Sequence, residues 1–301
     1  MEELRDISRD EDVLAVIRSA LEADIGRGDV TTEALVPEDA GLEARVVAGS
    51  DCVVAGVGVA QQVFLALDGR IECGEVSGDS CPAPAGTTVL TVSGPACPIL
   101  TAERTALNFL QRMSGIATLT REFVDRVSGR ATILDTRKTT PGLRKLEKYA
   151  VVCGGGRNHR FGLHDRVLIK DNHLAVWGEA TGSSVGDAVR SARASHPGMV
   201  IEVEVETESD LEGALDASPD WILLDNMSPA ELKRCVEKCS GRCSLEASGG
   251  ITIENVSGYA DTGVDAISLG CLTHSAPAAD FSLDFTRIVG QGYGRRGERT
   301  K

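Results

Sequence analysis

No apolar run in these 301 residues approaches the roughly 18 that a membrane span needs. The opening MEELRDISRDED is charged and holds no apolar segment of the secretory kind. Both absences lead to the expectation of a cytoplasmic protein without a membrane partner. Positive charge is also short, with 31 Lys and Arg against 45 Asp and Glu, a formal net of -14. A field of that sign repels nucleic acid and anionic lipid, so neither is expected to bind. Nine cysteines are present, but the one cluster, Cys235, Cys239 and Cys243 in CVEKCSGRC, fits neither paired zinc CxxC motifs nor iron-sulfur spacing. An odd count scattered through a cytosolic chain reads as free thiols.

Against that acidic background one block stands out. From Arg137 to His173 there are nine bases and three acids, a local balance of +6 that leaves -20 for the rest of the chain. Within it lies GGGRNHRFGLHDRVLIKDNH, residues 154–173, which opens on three glycines and then holds three histidines, three arginines and a lysine. A small, highly charged anion held in a pocket fits this block better than a polyanion face. For Arg144, Lys145 and Lys148, spaced along LRKLEKYA, a solvated helix face is the simpler expectation. Arg160 and Lys170 sit in glycine-rich or apolar context, where that explanation fails.

The rhythm of the chain changes near residue 115. Before it, DEDVLAVIRSALEAD has helical periodicity, and short strand-like runs such as LEARVVA and TTVLTV surround the helical VGVAQQVFLALDG. The segment ILTAERTALNFLQRMSGIATLTREFVDRV is expected to form two helices broken near Ser114 and Gly115. After it, strand and helix alternate. The strands are ATILD, RVLIK, VIEVEV, WILLD, CSLEAS and DAISLG, and the helical patterns between them begin with TPGLRKLEKYAVV. Six such units predict a parallel sheet with right-handed crossovers and an incomplete α/β barrel. The fold class is therefore α/β, a small N-terminal α/β sandwich-like domain (1–115) followed by an incomplete parallel barrel (116–275). A C-terminal segment (276–301) is expected to pack back on the first domain.

Barrel chemistry sits at the C-terminal ends of the strands. Those ends give Asp135 to Lys138, Lys170, Glu204, Asp225 with Asn226, Ser248 to Gly250, and Gly270. In VIEVEV the acids Glu202, Glu204 and Glu206 share one face, where a covered parallel strand should be apolar, so at least one should face a polar cavity. The turn Ser248-Gly249-Gly250, read as leading into a helix at TIENV, and Gly270 after the last strand lie where barrels bind phosphate. Glu204 and Asp225 suit hydroxyls or Mg²⁺. No nucleophile with an adjacent base stands out, which favours a reaction driven by positioning and charge stabilisation. These residues alone give a barrel enzyme acting on a phosphosugar and leave its reaction open.

Together the segments TAERTALNFLQRMSGIAT, DTRKTTPGLRKLEKYAVVCGGGRNHRFGLHDRVLIKDNH, IEVEVE, LLDN, ASGGI and SLGCLTHSAP resemble, in sequence and order, the quinolinate phosphoribosyltransferases, from GRGDVTT at residue 26 to SLDF at 285. The resemblance implies a homodimer that joins quinolinate to phosphoribosyl pyrophosphate with Mg²⁺, releasing pyrophosphate and CO₂. It implies that Arg137, Thr139, His159 and Arg160 bind quinolinate and that Lys138 and Lys170 bridge it to the pyrophosphate. It further implies that Arg104 reaches the neighbouring subunit's site, and that Glu204 and Asp225 hold ribose hydroxyls or metal. Ser248, Gly249, Gly250, Leu269, Gly270, Cys271 and, as an addition, His274 are implied at the 5-phosphate. Lys138, Lys170, Glu204 and Asp225 form the implied catalytic set. Two other readings are a related phosphoribosyltransferase-fold protein with another ligand and a phosphosugar-binding protein without catalysis. The intact TRKT and NHR elements disfavour the first, and retention of the complete charged set disfavours the second.

Overall fold

The computed structural model describes residues 5–289. In chain order the first half holds α1 (Glu11–Ile25), α2 (Val30–Leu35), β1 (Gly41–Ala48), β2 (Cys52–Val53), α3 (Val57–Leu67), β3 (Glu72–Glu75), β4 (Pro82–Ala83), β5 (Thr88–Pro95) and α4 (Ala96–Val127). Next come β6 (Thr132–Leu134), α5 (Arg144–Cys153), β7 (Val167–Ile169), α6 (Asp171–Thr181), α7 (Val185–Ser195), β8 (Ile201–Val205) and α8 (Glu208–Leu215). The chain continues through β9 (Trp221–Asp225), α9 (Pro229–Cys239), β10 (Ser244–Ser248), α10 (Val256–Ala260), β11 (Ala266–Ser268), α11 (Cys271–His274) and β12 (Phe281–Val289). Among the described residues no helix is long and apolar enough to cross a membrane, and the nine cysteines are free.

Two compact units divide the chain. The first comprises residues up to Leu119, Thr140–Gly155 and the chain from Ser275; the second comprises Thr120–Thr139 and Gly156–His274. In the first unit the sheet order is β12-β1-β5-β3 with antiparallel pairs, so the described part of the C-terminal segment lies beside β1, Phe281 opposite Ala48. Residues 290–301 of that segment lie outside the described residues. Alternate side chains of β1 (Leu42, Ala44, Val46, Ala48) are buried, and α1 adds Val13, Ile17 and Leu21 from one face.

Residues 96–127 form one helix, α4, where a break near Ser114-Gly115 was expected. Both residues serve packing instead. The Ser114 hydroxyl is buried, accepts the Ala55 N–H at 3.0 Å and donates to the Ala55 carbonyl at 3.2 Å. Gly115 lets the backbone at 277–278 approach: an added Cβ would lie 1.9 Å from the Pro277 carbonyl oxygen.

The basic face of α5 also departs from the solvated face expected for it. Lys148 and Glu147 are each 1% exposed, and Glu147 accepts from Arg112 at 2.8 Å and from the Thr140 N–H at 3.0 Å. Lys145 pairs with Asp10 at 2.8 Å. The four-residue spacing of Arg144 and Lys148 could not show that the turn carrying Lys148 faces inward.

The second unit is a parallel six-stranded sheet in the order β6-β11-β10-β9-β8-β7. This is the cyclic order of an α/β barrel opened between its first two strands. All six strands fall within the runs marked from sequence. Ser184, Thr207 and Ser228 cap α7, α8 and α9 by accepting backbone N–H groups, with Pro229 at the first position of α9. Two helical readings change. α6, directly after β7, was not foreseen, because its sequence DNHLAVWGEAT buries no residue and carries no apolar stripe. The helix expected at TIENV begins only at Val256, after the Thr252 N–H is taken by the Asn255 side chain at 2.8 Å.

Gly115→Ala is expected to lower stability by about 1–3 kcal/mol, since overpacking against backbone outweighs a gain of about 1 kcal/mol in helix propensity. Urea denaturation checks this, and a midpoint at or above that of the wild type would show that residues 277–278 yield freely.

Candidate active site

Residues 157–159 of the basic block are held against the open edge of the parallel sheet. After β6, the Asp135 N–H donates to the Arg157 carbonyl at 3.2 Å, and the Arg157 N–H donates to the Ile133 carbonyl at 2.8 Å. Leu134 and Arg157 thus form a parallel bridge that extends the β6 edge at the start of the RNHR stretch. Asp135 is fully buried, and its Oδ1 accepts the His159 N–H at 2.8 Å. Through these bonds the DTRKT and NHR elements are brought together. Arg160 is 8% exposed, and its pKa is lowered by burial and then by the positive charge of Arg137. Two guanidinium groups that repel each other in a partly dry place are stabilised by a bound anion, and their planar forks match carboxylates.

Deeper in the second unit lies a charged cluster that the sequence reading largely missed. His159 Nε2 stands 2.9 Å from Glu202 Oε2 and 3.4 Å from Glu246 Oε2. Arg166 Nη1 lies 3.1 Å from the same Glu202 oxygen, and its guanidinium covers the Trp221 ring at 5.6 Å. Burial favours the neutral form of Glu202, but hydrogen bonds and charge from His159 and Arg166 outweigh it and hold Glu202 below the usual range. Burial pushes Glu246 up. For His159 burial opposes protonation, but hydrogen bonding and charge from Glu202 and Glu246 outweigh it and push the ring up to about 9. Its Nδ1, however, accepts the Arg160 N–H at 2.7 Å, which an imidazolium cannot do. The geometry therefore favours a neutral ring with its proton on Nε2.

His159, Glu202 and Glu246 are also the group of metal-type ligands that converges among the described residues, all three buried. Arg166 already supplies a cation to the Glu202 oxygen that faces the ring. Glu246 carried the same signal as Glu202, an acid in the middle of a parallel strand, but it stands alone in CSLEAS and forms no alternating series.

The remaining strand ends form a second cluster. Lys170 Nζ lies 3.3 Å from Glu204 Oε2, and the Lys170 N–H, at the start of α6, donates to His173 Nδ1 at 3.0 Å. Burial pushes Glu204 up against the opposing charge of Lys170, and Asp225 adds to the push, so the three groups share one electrostatic neighbourhood. Asn226, with φ 54°, donates to Asp225 Oδ2 at 2.6 Å, and its N–H donates to the Ser248 carbonyl at 2.9 Å. Gly249 has φ 90°, and a Cβ there would lie 2.2 Å from Asn226 Oδ1, so only glycine lets the ends of β9 and β10 meet this closely.

Past β11, a Cβ at Gly270 would lie 2.9 Å from Lys138 Cδ and 3.1 Å from His274 Nε2. The Thr273 hydroxyl donates to the Lys138 carbonyl at 2.8 Å, and the Leu269 N–H donates to the Leu134 carbonyl at 2.9 Å. Lys138, Gly270 and His274 are thus brought together, and Leu269 offers only backbone because its side chain is buried. Cys271 and Thr139 are half-buried nearby in sequence. The glycine turn at Ser248 to Gly250 does not run straight into a helix, so backbone N–H groups, without a helix terminus behind them, are what it offers an anion. Arg104 belongs to the first unit, on α4, with its side chain 62% exposed and 3.9 Å from Glu103 Oε1.

Comparison with known proteins agrees along nearly the whole chain. The family description "Quinolinate phosphoribosyl transferase, N-terminal domain" matches residues 29–114, and its C-terminal counterpart matches residues 116–284. The nicotinate-nucleotide pyrophosphorylase [carboxylating] of Mycobacterium leprae is 45% identical over 276 residues, covering 89% of this chain and 95% of that protein. The probable enzyme of the same name from Bacillus subtilis is 44% identical over 265 residues, covering 87% and 90%. Among solved structures, the nicotinate-nucleotide pyrophosphorylase of Francisella tularensis superposes with a TM-score of 0.86 at 36% identity, covering 94% of this chain and 99% of that one. Two domain matches that together span residues 29–284, with relatives above 40% identity, establish that the chain belongs to the quinolinate phosphoribosyl transferase family.

Proposed function

We propose that this chain is a cytoplasmic quinolinate phosphoribosyltransferase, converting quinolinate and phosphoribosyl pyrophosphate to nicotinate mononucleotide, pyrophosphate and CO₂ in NAD biosynthesis. The observation that carries the reading is the pair of neighbouring guanidiniums, Arg137 and Arg160, on the same unit as the glycine turns at Ser248 to Gly250 and at Gly270. A dicarboxylate for the first and a phosphate for the second are the two anions this chemistry must hold at once.

Each residue then takes a role suited to its charge. Arg137 and Arg160 bind the two carboxylates, with Thr139 beside them, and orient the ring nitrogen toward the anomeric carbon. Lys138 and Lys170, compact charges, face the departing pyrophosphate. Ser248, Gly249, Gly250, Gly270 and Cys271 surround the 5-phosphate, chiefly with backbone N–H groups, while Leu269, whose own N–H is held by the Leu134 carbonyl, fixes the second turn and His274 stands alongside. Glu204 and Asp225 lie near the ribose, where positive character develops as the bond to pyrophosphate loosens, and their negative charge stabilises that state. Two carboxylates with substrate hydroxyls and phosphates also suit Mg²⁺, which keeps few protein ligands and, when bound, offsets charge on the leaving group. After the nitrogen is alkylated, the cationic ring accepts the electron pair left at C2 as the adjacent carboxylate departs as CO₂, and a proton from water replaces it. Arg137 and Arg160 hold the ring still through that second step.

Nicotinate, which lacks the 2-carboxylate, leaves one arginine unpaired and is expected to turn over about 100-fold more slowly in kcat/KM, or worse. Steady-state rates with both acids check this, and comparable rates would point to another phosphoribosyl acceptor.

The proposal includes a homodimer in which Arg104 serves the neighbouring subunit's site. Arg104→Ala and Lys170→Ala should each be inactive alone. Subunit exchange between them should restore activity, up to about one quarter of wild type for random exchange with independent sites. No recovery, with exchange verified separately, would place Arg104 in its own subunit's site or outside catalysis.

A further inference from the structure

We infer that His159 is a positioning residue, held by the buried pair Glu202 and Glu246, and that it fixes Arg160 for carboxylate binding instead of touching the substrate itself. What Arg160 binds rests on the function proposed above; the anchoring of the ring does not.

The polar groups of His159 are spent inside the protein. Its backbone N–H goes to Asp135 Oδ1 at 2.8 Å, its Nδ1 accepts the Arg160 N–H at 2.7 Å, and its Nε2 faces Glu202 at 2.9 Å and Glu246 at 3.4 Å. The side chain is only 6% exposed, so neither nitrogen is directed at solvent. A ring used in this way offers a substrate carboxylate no donor. It is instead the link between the sheet interior and the backbone of Arg160, whose guanidinium lies within reach of the Arg137 charge.

Glu246 makes the device specific. It sits in the middle of β10, paired in register with Leu223 and Ala266, and it is fully buried. A carboxyl in the interior of a parallel sheet is costly unless a polar partner needs it there. The ring of His159 is that partner, and it meets Glu202 from β8 on the same nitrogen. Two strands and the β6 edge therefore converge on one imidazole, and any shift of the ring moves the Arg160 amide with it.

The test is calorimetric binding of quinolinate to Glu246→Met, Glu246→Gln, Arg160→Ala and the double variant Glu246→Met with Arg160→Ala, with phosphoribosyl pyrophosphate binding as the internal control. Met keeps the volume and removes the carboxyl that faces His159 Nε2 at 3.4 Å; Gln keeps a polar amide in its place. Expected are a loss of tenfold or more for Glu246→Met, a change within threefold for Glu246→Gln, and less than twofold further loss when Met is added to Arg160→Ala. Phosphoribosyl pyrophosphate affinity should stay within twofold in both Glu246 variants. A Glu246→Met protein with unchanged quinolinate affinity, or losses that multiply in the double variant, overturns the inference.

A second measurement needs neither variant nor substrate. Nitrogen-15 NMR of the wild-type ring should show the Nε2–H tautomer with a slowly exchanging proton, and a ring protonated on Nδ1 contradicts the anchoring. Wild type that fails to bind quinolinate would refute the proposed substrate, while this spectrum would still decide the anchoring.

Discussion

A buried arginine, Arg160, with the positive charge of Arg137 near it is the constraint on which the site depends. Arg137 and Arg160 are brought together by hydrogen bonds that tie Arg157 to the β6 edge and by the buried Asp135, which accepts the His159 N–H. Burial and the neighbouring charge both oppose the charged form of Arg160, and a bound anion favours it. The local balance of +6 in a chain of net -14 then has a physical reason. Substrates with several negative charges need a concentrated cation source, and an acidic remainder discourages longer polyanions from competing for it.

The parallel sheet supplies the geometry. Each strand end contributes one kind of group, cations after β6 and β7, acids after β8 and β9, and glycine turns after β10 and β11. The division suits a reaction in which leaving group, ribose and phosphate each require a different sign of charge or none. Where the sheet interior is charged, at Glu202 and Glu246, the charge is directed to His159, which links the interior to the cation pair.

Much of this was legible in the sequence because strand ends in such a fold are read directly from where apolar runs stop. The six strands and the positions of Lys170, Glu204, Asp225 and Gly270 at their ends came out this way. What periodicity could not give were facts set by packing. Ser114-Gly115 looks like a break, yet the serine caps a carbonyl across the core and the glycine admits backbone at residue 277. Lys148 looks solvated by its spacing but is buried. Helix α6 has no apolar stripe because none of its residues is buried. Glu246 is a single acid in an apolar strand, and only the fold shows that it meets Glu202 at one imidazole.

The central claim is that one site carries out both phosphoribosyl transfer and loss of the 2-carboxylate. Quinolinate labelled with carbon-13 in that carboxylate, incubated with phosphoribosyl pyrophosphate and the enzyme, tests it most directly by mass spectrometry of the released gas and nucleotide. The account predicts one labelled CO₂ for each pyrophosphate, an unlabelled nicotinate mononucleotide, and no CO₂ when phosphoribosyl pyrophosphate is omitted. Pyrophosphate release that leaves the label in the nucleotide, CO₂ release without the phosphosugar, or no turnover at all would contradict it.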